Sequence, residues 1–270
     1  MRVKTIKMHG QGNDYIFFDL EDTRYDSKIN WCDWAIRLSD RHFGIGGDGL
    51  VLIENPDGIT RMRIFNSDGS EATTCGTALR CTARYLSQKH HIDKIDIHTL
   101  SGVKPCTIHP DNAVTVNMGK AQIINEKSIQ IHGHQISGTL INIGNPHFCI
   151  IDDKALTDND KLFELTEKQV IPPDGVNVEN ISICDDSHIK IKIWERGSGF
   201  TLACGSGACA SAFLLNKSPH LWKGRTGSAR TPDTIKVSMP GGDVTVQILS
   251  DDTCLLTGKI ETIFTTEMEI

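Results

Sequence analysis

The chain lacks any excess of positive charge: among 270 residues, 28 Lys and Arg face 34 Asp and Glu, for a formal net charge of -6. With no basic stripe to neutralise phosphates, no nucleic acid is expected as partner; a small molecule is. A secretory leader is missing too, because the basic Met1-Arg2-Val3-Lys4-Thr5-Ile6-Lys7 runs into Met8-His9-Gly10-Gln11-Gly12 without an apolar core. A cytoplasmic location follows as an expectation. The chain has little that resembles a membrane span: the extended uncharged window, residues 197–216, carries four glycines plus Ser198, Ser206 and Ser211, and is too polar. Paired cysteine spacing is absent as well. The nine cysteines are odd in number, and neither Cys75/Cys81 nor Cys204/Cys209 has the C-x-x-C spacing of a zinc site, so free thiols and no metal are expected.

What is present is enough apolar residue, 39% against 23% charged, to build a large core. Alternating segments recur at residues 61–65, 114–118 and 189–195, and turn signals such as Pro56-Asp57-Gly58, Ser67-Asp68-Gly69 and Pro240-Gly241-Gly242 separate them. Helical patterns are few. The first spans about Trp31 to His42, the second about Gly76 to Gln88, and the third about Gly205 to Leu215, whose lack of a polar stripe requires enclosure by protein. This balance predicts mostly antiparallel sheets rather than a repeated βαβ unit. The Gly44-Ile45-Gly46-Gly47-Asp48-Gly49 run contains G-x-G-x-x-G, but it follows a helix and precedes a strand, the reverse of the dinucleotide-binding order.

The second and third helices begin alike, with Cys75-Gly76-Thr77 and Cys204-Gly205-Ser206 lying almost half the chain apart, which points to a cryptic duplication. A cysteine at a helix start meets N–H groups that lack intrahelical partners and the positive end of the helix dipole, so thiolate character is favoured there. The same N–H groups can hold a carboxylate. Two such termini suit proton removal and return at one carbon: one thiolate abstracts an α-proton, N–H groups stabilise the charge spreading into the carboxylate, and the second thiol reprotonates with inversion. No lysine-centred pyridoxal phosphate motif is evident, and this clamp manages without that electron sink. The remaining cysteines, Cys32, Cys81, Cys106, Cys149, Cys184, Cys209 and Cys254, are read as buried packing residues.

Five segments together carry a family resemblance: Met8 to Asp14, Arg41 to Asp48, Asn66 to Ala72 with Cys75-Gly76, Gly144-Asn145-Pro146-His147, and Glu195-Arg196-Gly197 with Leu202 to Cys209. In order and spacing, over nearly the whole chain, they resemble diaminopimelate epimerase. The resemblance implies a cofactor-independent isomerase of lysine biosynthesis, interconverting LL- and meso-diaminopimelate. It implies an α/β fold of the α+β type: two pseudo-symmetric lobes, each a mostly antiparallel sheet wrapped around a central helix. The first would span residues 1–118, with 258–270 returning to it, and the second 119–257. Cys75 and Cys204 would be the two bases, with His147 and Glu195 assisting. Asn13, Asn66, Asn145, Asn177, Glu195 and Arg196 would hold substrate polar groups, and main-chain N–H groups of Gly76, Thr77, Gly205 and Ser206 the reacting carboxylate. The bidentate guanidinium of Arg196 is suited to a distal carboxylate. A homodimer is implied only by the family.

One segment departs from that family. Where its members usually read Cys-Gly-Asn-Gly, this chain has Cys75-Gly76-Thr77-Ala78, losing an amide and a conformationally permissive residue. Three alternatives stay open on the sequence: a cofactor-independent racemase of histidine or a proline derivative, a one-cysteine hydrolase using Cys204 with His147, and a non-catalytic paralogue that binds a dicarboxylate.

Overall fold

Period-two patterning becomes strand where expected, and the computed structural model describes residues 2–21, 29–171, 173, 175–221 and 232–269. The first half runs β1 (Arg2–Gly10), β2 (Asn13–Asp19), α1 (Trp31–Ser39), β3 (Gly49–Glu54), β4 (Arg61–Asn66), β5 (Glu71–Ala72), α2 (Gly76–His90), β6 (Lys94–Thr99), β7 (Gly102–Ile108) and β8 (Ala113–Lys120). Then follow β9 (Gln122–Ile131), β10 (His134–Asn142), β11 (Pro146–Ile151), α3 (Lys154–Asp158), α4 (Lys161–Val170), β12 (Asn177–Asp185), β13 (His188–Glu195), β14 (Gly199–Phe200) and α5 (Gly205–Lys217). Strands β15 (Thr234–Met239), β16 (Gly242–Ile248), β17 (Thr253–Lys259) and β18 (Glu261–Glu269) complete the chain.

These elements form two compact units, Met1–Val116 with Gly258–Ile270, and Asn117–Thr257. In the first unit the strands lie in the order β18-β1-β2-β3-β4-β6-β7-β8, all antiparallel except the β2–β3 and β4–β6 pairs. In the second the order is β9-β10-β11-β12-β13-β15-β16-β17, parallel only at β11–β12 and β13–β15. The two patterns match strand for strand, with β5 and β14 as two-residue spurs on the fifth strand of each order. Each central helix packs inside its own sheet: α2 on β1, β4, β6 and β7, and α5 on the corresponding β10, β13, β15 and β16 as well as β11 and β12.

Strands covered on both faces need apolar residues at successive positions, and β2 and β3 have them. Ile16, Phe18, Leu50, Leu52 and Phe65 form a cluster with Trp31, Ala35 and Leu38 of α1. Their neighbours Phe17, Val51 and Ile64, equally buried, point to the opposite face. In the second unit Phe148, Ile150 and Val178 pack with Leu162, Phe163 and Val170 of α4.

Several sequence expectations are corrected. Helix α1 stops at Ser39, short of His42, because the Asp40 carboxylate accepts from the backbone N–H groups of His42 and Phe43, both at 2.7 Å, and closes a turn instead. Helix α2 continues to His90, where Lys89 bonds Asp19 and Glu21, each at 2.8 Å, at the end where the dipole favours cations. Helices α3 and α4 were not expected: α3 has five residues and α4 only ten, too short for a strong periodic signal. Cys32 and Cys184 are exposed rather than buried, since one lies on the outer face of α1 and the other near the end of β12. No helix among the described residues is long and apolar enough to cross a membrane, which leaves membrane-crossing strands unaddressed.

Candidate active site

Each central helix starts on its cysteine. Cys75 precedes α2 in extended conformation, φ -149°, and its carbonyl accepts from Leu79 N–H at 3.0 Å; Cys204 precedes α5 at φ -132°, and its carbonyl accepts from Ala208 N–H at 3.0 Å. Both backbones are thus in the N-cap position, with the first-turn N–H groups beyond them.

In the first unit, Asn13 opens β2 and Asn66 ends β4. The Asn13 Oδ1 atom is buried with no hydrogen-bond partner, whereas the Asn66 amide donates to Ser70 Oγ at 3.0 Å. Next to Asn13, Asp14 is clamped by Lys7 at 2.5 Å and Arg41 at 2.7 Å, and its backbone N–H donates to Asp48 at 3.0 Å. Burial alone would raise the Asp14 carboxyl, but hydrogen bonds and charge from Arg41 and Lys7 hold it below the ordinary range. This clamp ties the glycine-rich loop to the β1–β2 turn. Gly76 and Thr77 are buried, and the Thr77 hydroxyl accepts from Arg80 at 3.3 Å, so this side chain is spent inside the unit and only its N–H remains at the helix start. Residue 78 has no positive φ, so Ala78 sits in the helix without backbone strain.

The second unit is more heavily charged. His147 is fully buried; its Nδ1 lies 2.6 Å from Glu179 Oε1, and its Nε2 lies 3.1 Å from Asn145 Oδ1. The Asn177 amide donates to the Pro146 carbonyl at 3.3 Å and accepts from Arg196 N–H at 2.9 Å, bracing the turn that carries Glu195 and Arg196. Glu195 ends β13, and burial pushes its carboxyl up, partly offset by hydrogen bonding to Cys204 and the charge of His147. Arg196 is exposed. Gly205 is buried, and the Ser206 hydroxyl lies 3.5 Å from Cys204 Sγ.

Helix position favours a thiolate at residue 204, and the buried, acidic surroundings oppose it. Burial raises the Cys204 thiol well above its usual value, the charges of Glu195 and Glu179 raise it further, and Ser206 and the Gly207 N–H offset only part of this. Cys81 and Cys106 are likewise pushed up to about 12, first by burial, in keeping with core thiols.

Strand register puts both clusters on one map. Tyr15 pairs with Gly49 and Gly49 with Asn66 in the first unit; His147 pairs with Asn177, and one step beyond the Val178–Trp194 pair Asn177 meets Glu195. Asn13 precedes Tyr15 by the interval at which Asn145 precedes His147, and Asn66 precedes Cys75 by the interval at which Glu195 precedes Cys204. The map therefore matches Asn13 with Asn145, Tyr15 with His147, Gly49 with Asn177, Asn66 with Glu195, and Cys75 with Cys204. It also matches Val51 with Glu179, which pairs with Cys149 as Val51 pairs with Phe17. Glu179 was missed in the sequence, although a carboxylate inside Val176-Asn177-Val178-Glu179-Asn180-Ile181 is a charge in a buried run, which needs a partner.

Comparison with known proteins agrees with this picture. Over its whole length the chain shares its fold with a PhzF-family phenazine biosynthesis protein from Bacillus anthracis, with a TM-score of 0.73, 12% identity and 100% of both chains covered. The same holds for a hydroxyproline epimerase from Agrobacterium vitis solved with bound trans-4-hydroxy-L-proline, with a TM-score of 0.68, 14% identity, and 99% and 92% coverage. In sequence it is 40% identical to the diaminopimelate epimerase of Methanococcus maripaludis (strain C6), across 99% of this chain and 100% of that one. The sequence relatives place the protein among the isomerases. The chain belongs to the diaminopimelate epimerase family, whose model matches residues 5–124 and 139–263.

Proposed function

We propose that the protein interconverts LL- and meso-diaminopimelate by moving protons between cysteine sulfur and the substrate α-carbon, without a cofactor, in the cytoplasm. What supports this reading is a cysteine N-capping the central helix of each unit at the same place on the register map, in a chain of this family. Inversion requires the proton to leave one face of the carbon and return on the other, so two acid–base groups are needed and Cys75 and Cys204 are assigned to them. In one direction of the reaction one sulfur enters as thiolate and the other as thiol. In that step the α-proton passes to the Cys75 sulfur while the Cys204 proton passes to carbon, and the roles reverse for the opposite direction. Helix N–H groups of Gly76, Thr77, Gly205 and Ser206 stabilise the carboxylate as it takes up carbanion charge.

In the same reading, the partnerless Asn13 Oδ1 accepts from a substrate ammonium group, the Asn66 amide contributes from the end of β4, and Asn145 presents its own amide. Arg196 takes the distal carboxylate as a forked donor, held in place through the Asn177 bond to its backbone. His147 and Glu195 act around Cys204 by charge and hydrogen bonding. The test is deuterium incorporation from heavy water at the α-carbon of diaminopimelate, histidine and proline. Incorporation with diaminopimelate is expected. Exchange with another amino acid and none with diaminopimelate overturns the substrate, and tight binding of diaminopimelate without exchange on any substrate overturns the reaction.

A further inference from the structure

The Glu179 carboxylate sits in the interior of β12 with no exposed surface. Burying a carboxylate without partners costs several kcal/mol, so its contacts define its purpose. It has two: His147 Nδ1 at 2.6 Å, and the Cys149 thiol, which donates to its other oxygen at 3.8 Å. The space it occupies is reserved. A Cβ on Gly207, in the first turn of α5, would lie 2.6 Å from Oε1, so glycine there is a condition of the carboxylate being present. The first unit has neither feature: Val51 stands at the register position of Glu179 and Ala78 at that of Gly207.

The other ring nitrogen of His147 faces Asn145 Oδ1, an atom that only accepts. The 3.1 Å contact to that oxygen is satisfied with Nε2–H as its donor, which leaves no lone pair on this nitrogen for proton abstraction. An Asn145 oxygen engaged by the ring turns the amide nitrogen outward, and Asn145 is itself partly exposed.

We propose that Glu179 is a positioning residue for the epimerisation assigned above: through Nδ1 it holds the His147 ring with Nε2–H on Asn145, so that Asn145 presents its NH2 group to a substrate carboxylate. The proposal rests on that functional reading for the identity of the substrate. Asn145, not Glu179, touches the substrate, and Glu179 selects which end of the Asn145 amide is offered.

Two measurements test it. Ring-nitrogen NMR of histidine-labelled wild-type protein reads His147 directly, and a ring with its proton on Nε2 is expected; an unprotonated Nε2 overturns the proposal. Steady-state kinetics then compare wild type with Glu179→Gln, which keeps the shape and removes the charge, and Glu179→Leu, which removes every acceptor for Nδ1. KM for diaminopimelate is expected to rise about tenfold or more, the scale of one hydrogen bond to a charged group, with a smaller fall in kcat and a larger rise for Leu than for Gln. A folded Glu179→Leu protein with wild-type KM overturns it. Where both variants fail to fold, the wild-type ring measurement decides alone. A wild-type protein that exchanges no deuterium into diaminopimelate refutes the functional reading and leaves the ring measurement standing.

Discussion

The two units share a strand order, a central helix and a cysteine at its start, yet they differ at three matched positions of two core strands. The first unit has Tyr15, Phe17 and Val51 there, and the second His147, Cys149 and Glu179. One scaffold thus carries an apolar floor in one copy and an ionisable one in the other. A glycine three residues after the cysteine is required in the second unit, where the buried Glu179 carboxylate presses on Gly207. Nothing in the structure explains Thr77-Ala78 in place of the family's Asn-Gly.

The comparison can be broken in graded steps. Replacing either helix-start cysteine by serine is expected to lower α-carbon deuterium exchange at least about a hundredfold; a Cys75→Ser protein near full activity would leave Cys204 as a lone catalytic group and end the two-base reading. Transplanting the charge, Val51→Glu, buries a carboxylate opposite Phe17 and diagonal to Tyr15, with no imidazole, and is expected to cost several kcal/mol in denaturant unfolding. Adding Tyr15→His should recover part of that loss, and a double-mutant cycle without coupling would show that the two floors are not interchangeable. Gly207→Ala is expected to cost about 1–3 kcal/mol by overpacking against Glu179, whereas the mirror change Ala78→Gly costs about 1 kcal/mol through helix propensity alone. Equal effects would show that Glu179 does not press on the start of α5. The smallest signal is a pH profile: because burial first, and then Glu195 and Glu179, raise the Cys204 thiol, its alkylation should stay slow beyond the ordinary thiol value of about 8.5.

Much of this arrangement was readable from sequence, and the reasons are specific. Strands and central helices announced themselves because their periodicity is long and their turns are marked by Gly, Pro and Asp. The pair of Cys-Gly steps was visible because a helix start is a local feature. Burial is not local: the sequence context of Cys204 signalled a dipole, and only the packed structure reveals the carboxylates and desolvation that oppose it. Glu179 and His147 are separated by 32 positions and meet through a parallel strand pair, a register that no short motif encodes. Helix α4, with Leu162, Phe163, Thr166 and Val170 buried, is held by packing more than by its own pattern.

The second unit takes all its strands from one uninterrupted stretch, while the outer edge of β1 in the first is covered by β18, residues Glu261–Glu269. During synthesis the later unit can therefore finish its sheet first, and the earlier one keeps an unpaired strand edge until the last segment emerges. A stop codon after residue 257 would for that reason harm the half encoded first.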